Sequence, residues 1–226
     1  MDFDTWEPVY ERILADFGFP RAADERARDV LADLVGPFDT DGVDVAGQRV
    51  AIAGAAPDLE AATDRATTAD VVVAASVAGP RLVDAGVDVD YLVTDLDGRP
   101  ERAVDLSARG VVVLAHAHGD NIPAIETYVP RLDEGAVLPT TQAAPAGSVR
   151  NFGGFTDGDR AAFFADHFGA GELVFPGWEL ADPTVSDLKA RKLRWAERLL
   201  YWLERRRGER FDVLEGRRDA LTTPVP

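Results

Sequence analysis

The run Val111-Val112-Val113-Leu114-Ala115 carries no polar residue on either face of a strand. Such a strand has to be covered on both sides, as strands of a parallel sheet are. Comparable runs recur near residues 49–53, 70–75, 91–95, 136–139 and 172–175, with helix-length segments between them. Strands alternating with helices predict an α/β fold, a doubly wound and mostly parallel sheet with helices on both faces. Trp6, Val9, Tyr10, Ile13, Leu14 and Phe17 recur at helical spacing, and a second helix is expected over 22–35, ended by Gly36-Pro37. Residues 1–46 therefore read as an N-terminal helical unit packed on the core or on a partner subunit, and 47–226 as the α/β domain. That domain closes on a long helix over 186–206, where Leu193, Ala196, Leu200 and Leu203 form one apolar stripe.

Composition narrows the function classes. The 226-residue chain has no cysteine, so neither a disulfide nor a thiolate metal site is available. No stretch approaches the roughly 20 apolar residues that span a bilayer, and Met1-Asp2-Phe3-Asp4 lacks the basic start of a signal peptide. A soluble, cytoplasmic protein without a membrane partner is expected. A formal charge of -16 repels the phosphate backbone and argues against nucleic acid. Lysine occurs only at Lys189 and Lys192, and the acids are scattered rather than gathered in one block. This is the composition of a halophilic protein from a high-salt cytoplasm, where screening tolerates such a surface. The melting temperature and activity are therefore expected to rise as KCl is raised into the molar range; a melting temperature that falls steadily with KCl would contradict this.

The chemistry-bearing residues fall where strands end. Tyr91-Leu92-Val93-Thr94 runs into Asp95-Leu96-Asp97-Gly98, and alternate residues of a strand share a face, which would aim Asp95 and Asp97 the same way. Two readings stand: a carboxylate pair that holds a hard cation such as Mg²⁺, or a solvated Asp-Gly turn. The 111–115 run delivers His116-Ala117-His118-Gly119-Asp120-Asn121, with Asn121 placed to cap a helix and Pro123 in its first turn. A ligand site or a capped strand end both fit this junction, and one His-x-His pair without cysteine is weak as a zinc signature. A third cluster, Asn151-Phe152-Gly153-Gly154-Phe155-Thr156-Asp157-Gly158-Asp159, pairs two glycines with a capping box from Thr156 to Asp159. It reads as a phosphate or heterocycle contact or as a plain turn and cap.

In order, Tyr-Leu-Val-Thr-Asp-Leu-Asp-Gly, Ala-His-Ala-His-Gly-Asp-Asn, Pro139-Thr140-Thr141-Gln142 and Asn-Phe-Gly-Gly-Phe-Thr-Asp-Gly-Asp-Arg-Ala resemble the archaeal 6-hydroxymethyl-7,8-dihydropterin diphosphokinases of the MptE-like type. These are related in fold to thiamin pyrophosphokinase. The resemblance runs from about Arg49 to the terminal helix. It implies transfer of the β,γ-diphosphate of ATP to a reduced pterin alcohol, leaving AMP, in tetrahydrofolate or methanopterin-type cofactor synthesis. It implies Asp95, Asp97 and Asp120 as the Mg²⁺ cluster. His116 or His118 would accept the hydroxyl proton or bind phosphate. The nucleotide side would use Gly54, Thr140, Gln142, Lys189 and Lys192; the pterin side Asn121, Asn151, Gly153, Gly154, Phe155 and Thr156. A homo-oligomer is compatible with the pattern.

Two places depart from it. Gly54-Ala55-Ala56-Pro57-Asp58 stands where relatives often show Gly-x-Gly-Pro-Ser, so Ala56 replaces the glycine that lets a phosphate approach, and Asp58 repels one. Gly177-Trp178-Glu179 stands where a Gly-x-Asp turn is expected. Other classes share Asp95-Leu96-Asp97 as a metal-diphosphate clamp: a glycosyltransferase-like sugar-nucleotide protein, or a nucleotide- or metal-binding module without turnover.

Overall fold

The computed structural model describes residues 1–224. In chain order the elements are α1 (Phe3–Phe17), α2 (Arg21–Leu34), β1 (Arg49–Ala53), α3 (Thr63–Thr67), β2 (Val71–Ala75), α4 (Ala78–Asp84), β3 (Tyr91–Thr94), α5 (Pro100–Ser107), β4 (Val112–Ala117), α6 (Ile122–Tyr128), β5 (Val137–Thr141), α7 (Asp157–His167), β6 (Glu172–Val174) and α8 (Asp187–Arg207). Every strand pairing is parallel, in the order β5-β4-β3-β2-β1-β6. The chain steps one way from β1 to β5. It then returns through α7 and adds β6 on the free side of β1. The reversal makes the crevice beyond the carboxyl ends of β1 and β6 the place where an open α/β sheet takes a ligand.

The period of two along each strand divides the core. Val50, Ile52, Val73, Val93 and Leu114 pack with α1, α7 and α8, whereas Ala51, Ala53, Val72, Ala74, Leu92 and Val113 pack with α2, α4, α5 and α6. On the first face Trp6, Tyr10, Phe163 and Phe164 are fully buried, each worth about 1.5–3 kcal/mol against leaving it in water. Within residues 1–46, α1 and α2 belong to opposite faces of the sheet. α2 lies on β4, β5 and α6, and from α1 the Trp6 indole N–H donates to the Gln142 carbonyl just past β5, at 2.9 Å. The helices thereby cover the end of an edge strand that would otherwise be open to pairing.

Helix ends follow their local chemistry. Asp2 accepts from the Thr5 amide at the start of α1 at 2.8 Å, and Gly18 closes it at φ 71. Ser186 caps α8, whose Ala196, Leu200 and Leu203 are fully buried as the apolar stripe requires. Leu193, one turn earlier, is half-buried and faces the cleft described below. Among the described residues no helix is long and apolar enough to cross a membrane.

Candidate active site

A cleft of about 670 Å³ opens beyond the carboxyl ends of the strands, between the loops after β1, β2, β3 and β4, the start of α7, and α8. Its polar lining includes Asp95, Asp97, His118, Asp120, Asp157 and Arg160, with Lys189 and Lys192 facing them from α8. Phe19, Phe155 and Trp178 supply aromatic wall. This is the size and mix of surface that holds a small-molecule ligand.

The carboxylate pair forms by a different route from extended-strand alternation. β3 ends at Thr94, and Leu96 takes the left-handed conformation at φ 65 with its side chain buried. Its amide donates to Thr94 Oγ1 at 3.0 Å, and the Asp97 amide donates to Asp95 Oδ1 at 3.2 Å. A branched side chain at positive φ is strained, and such strain collects where a site needs it. The turn sets Asp95 and Asp97 close enough that the charge of Asp95 bears on the Asp97 carboxyl. Ser76, at the end of β2 and also in the cleft wall, repeats the device at φ 49.

Electrostatics separate the members of this cluster. Burial works against ionised Asp95, yet the His118 hydrogen bond and the charge of Arg160 hold its carboxyl well below the usual range. Burial raises Asp97, and the neighbouring Asp95 raises it further, while Lys189 and Lys192 pull the other way. Asp157, at the first turn of α7, is pushed up to about 8 by burial and then by the charge of Asp95, with Arg160 opposing. Three carboxyls thus crowd one end of the cleft and repel one another.

His118 braces this group. Its Nε2 lies 3.2 Å from Asp95 Oδ2 and its Nδ1 2.7 Å from Asp120 Oδ1. Asp120, which the resemblance implies as a third member of the cluster, lines the same cleft, is 89% exposed and meets the cluster at His118 Nδ1. His116, although its ring lies 6.3 Å from that of His118, is fully buried and pairs through Nδ1 with Thr140 Oγ1 at 3.0 Å. Burial and the charge of Arg160 push the His116 imidazole well below its usual pKa, so it stays neutral inside the protein.

Sequence comparison identifies the family. Residues 27–184 match the family model described as 6-hydroxymethylpterin diphosphokinase MptE-like. The chain belongs to this family. A Methanothermobacter thermautotrophicus protein named 6-hydroxymethyl-7,8-dihydropterin pyrophosphokinase is 37% identical over 94% of this chain and 99% of its own length. Proteins of the same name from Pyrococcus furiosus and Methanocaldococcus jannaschii are 37% and 30% identical, each over 90% of this chain and 95% and 96% of their own lengths.

Several residues that the family pattern assigns to ligands also make contacts within the protein. Asn121 occupies the N-cap position of α6 without capping it. Its Nδ2 donates to the carbonyls of Asp95 and His116 at 2.9 and 2.7 Å, and its Oδ1 accepts from the His118 amide at 3.0 Å. Asn151 is buried, with Nδ2 donating to the Ala143 carbonyl and Oδ1 accepting from the Gly153 amide. A Cβ at Gly153 would meet Phe163 at 3.1 Å, and one at Gly154 the Arg160 backbone at 2.6 Å, so both glycines make room for the chain. Thr140, likewise, is spent on His116 and on the Ala115 carbonyl. Gln142, Phe155, Thr156, Gly54 and both lysines do line the cleft.

The altered glycine loop packs against the Trp178 turn. A Cβ at Gly54 would stand 2.5 Å from the Gly177 carbonyl and 2.9 Å from Trp178 Cδ1, and one at Gly158 would stand 2.6 Å from the far edge of the same indole. Trp178 is pinned there by its N–H, which donates to the Ile52 carbonyl at 2.7 Å. Gly54→Ala is therefore expected to destabilise the protein by about 1–3 kcal/mol through overpacking, visible as a lower urea midpoint at unchanged slope. Wild-type stability in that variant would show that the loop and the Trp178 turn are free to part.

Proposed function

We propose that this protein transfers the β,γ-diphosphate of ATP to 6-hydroxymethyl-7,8-dihydropterin, forming AMP and the pterin diphosphate. The observation that carries the reading is the crowded carboxyl cluster of Asp95, Asp97 and Asp157 facing Lys189 and Lys192 across one cleft, in a chain of this family. Repelling acids opposite the chain's two lysines make a place for a charged phosphate chain together with its counter-ion.

The donor set fits a hard cation. Asp95 and Asp97 share one turn, the Asp97 amide donating to Asp95 Oδ1 at 3.2 Å, and the charge of Asp95 raises the Asp97 carboxyl, so a cation between them would relieve their repulsion. Among the described residues no three carboxylates or imidazoles form a ready-made ligand set. That suits Mg²⁺, which takes one or two carboxylates and keeps its remaining places for waters and phosphate oxygens. When bound, such an ion neutralises charge on the transferring phosphate oxygens.

The chain's own residues supply the rest. Lys189 and Lys192 meet phosphate oxygens from α8, and Lys192 also stands 5.9 Å over the Phe155 ring. His118, with a carboxylate against each ring nitrogen, holds Asp95 in place. The pterin hydroxyl oxygen forms its bond to the β-phosphorus as the bond from that phosphorus to the α,β-bridging oxygen breaks; AMP leaves with the electron pair, and the hydroxyl proton passes to a phosphate oxygen or to water in the open cleft. Transfer of this kind runs through a loose transition state, so alignment and charge stabilisation matter more than a strong base. Aromatic wall at Phe19, Phe155 and Trp178 gives a flat heterocycle a face to lie on.

The test is incubation with ATP, Mg²⁺ and the reduced pterin alcohol, followed by mass analysis. AMP and the pterin diphosphate in equal amounts are expected. ADP with a pterin monophosphate, or AMP released without the pterin, would refute the reading. Turnover of a sugar nucleotide in its place would put the protein in the glycosyltransferase-like class.

A further inference from the structure

Asp24, on α2, is 4% exposed and yet forms part of the cleft wall. Its Oδ2 accepts from the Tyr10 hydroxyl and from Gln142 Nε2, each at 2.8 Å, and its Oδ1 accepts from the Gly119 amide at 2.7 Å. None of these donors carries a charge. A buried carboxylate held by neutral groups alone is an expensive way to pack a helix on a sheet. Burial and the adjacent Asp24 push the Tyr10 hydroxyl far up, so it stays a donor.

Both arms of the contact lead to the proposed chemistry. Gly119 sits between His118 and Asp120, and a Cβ there would lie 2.7 Å from that of Ala23, so α2 is pressed directly on this turn. On the other arm Gln142 Oε1 accepts from Arg160 Nη2 at 3.1 Å, and Arg160 Nη1 donates to Asp157 Oδ1 at 2.9 Å. Arg160 is itself buried, and its charge bears on Asp95, Asp157 and His116.

We propose that Asp24 is a positioning residue of the diphosphoryl-transfer site: one oxygen fixes the turn that carries His118, and the other aims Gln142 and, through it, the Arg160 guanidinium at Asp157. The N-terminal helices then belong to the catalytic apparatus. The inference rests on the diphosphokinase reading above. Asp24 lies outside the span matched by the family model, which begins at residue 27.

Asp24→Asn keeps the shape and removes the charge. It is expected to lower kcat roughly 10- to 100-fold, with much smaller changes in KM for ATP and for the pterin alcohol, because displaced groups misalign bound substrates without removing their contacts. The chain has three histidines, so their ring C–H signals can be followed by NMR. The His118 signal is expected to move in this variant, and that of His167, which meets the Met1 amino group, to stay. Gln142→Met cuts the second arm alone and should reduce kcat with the His118 signal in place. A folded Asp24→Asn protein with wild-type kcat overturns the proposal, as does one whose rate falls only in step with stability while His118 is unmoved. Should Asp24→Asn fail to fold, wild-type kcat in Gln142→Met overturns it. If the wild-type protein makes no pterin diphosphate, the diphosphokinase reading fails, and the His118 signal still tells whether Asp24 holds the turn.

Discussion

Asp97→Asn is expected to lower turnover roughly 100- to 1,000-fold, the range seen when one preorganised electrostatic group is lost from a closed site. The fold should survive, since the amide has the shape of the carboxylate and Asp97 holds up no buried element. Loss of a charge that crowds Asp95 also relieves repulsion, so the melting temperature should hold or rise. Asp120→Asn is the contrast. Its side chain is exposed and reaches the cluster only through His118 Nδ1, so a loss within about tenfold is expected. Initial rates across a Mg²⁺ series check both. A near-normal Asp97→Asn rate at limiting Mg²⁺ would remove the carboxylate pair from the chemistry, and an Asp120→Asn loss as large as that of Asp97→Asn would return Asp120 to the centre of it.

The different surroundings of Asp97 and Asp120 show what local sequence conveys. Strand positions were legible because burial on both faces leaves an unbroken apolar run, and 91–95 and 111–116 lie within a residue or two of β3 and β4. The Thr156 to Asp159 capping box is present as read, since all its partners lie within four residues. The long terminal helix is shifted by one residue at each end. What local pattern does not carry is the partner that a side chain finds across the fold. Asn151 and Thr140 look like ligand groups from their neighbours, and their bonds to a carbonyl eight residues away and to a histidine on the adjacent strand are not written in that local pattern. Conversely, neither Asp157 nor Arg160 is among the residues that the family pattern assigns to a ligand. The one available signal was an Arg three residues after an Asp at the head of a helix that is otherwise apolar at Ala161, Ala162, Phe163 and Phe164. Asp24 left no such trace, because its partners come from three separate segments of the chain.

For Asp157 the expected result is a stability gain bound to a loss of function. Burial first, and then the charge of Asp95, raise its carboxyl to about 8 from an ordinary value of 3.8. The folded protein therefore holds that proton more tightly than the unfolded chain does. The stabilising contribution is full below about pH 4 and is lost as pH climbs through about 8. In metal-free protein the wild type should melt at progressively lower temperature across this window, whereas Asp157→Asn, neutral throughout, should lack this component of the slope. The two should approach each other in acid, and the variant should be the more stable by several degrees above pH 8. Its turnover should nevertheless fall, because the carboxyl anchors Arg160 and shapes the charge around Asp95. Sites that hold like charges together trade stability for function in this way. A variant that melts below the wild type at every pH would mean that Asp157 is held chiefly by its ion pair with Arg160, and that the crowding of carboxyls in the cleft is relieved without a cation.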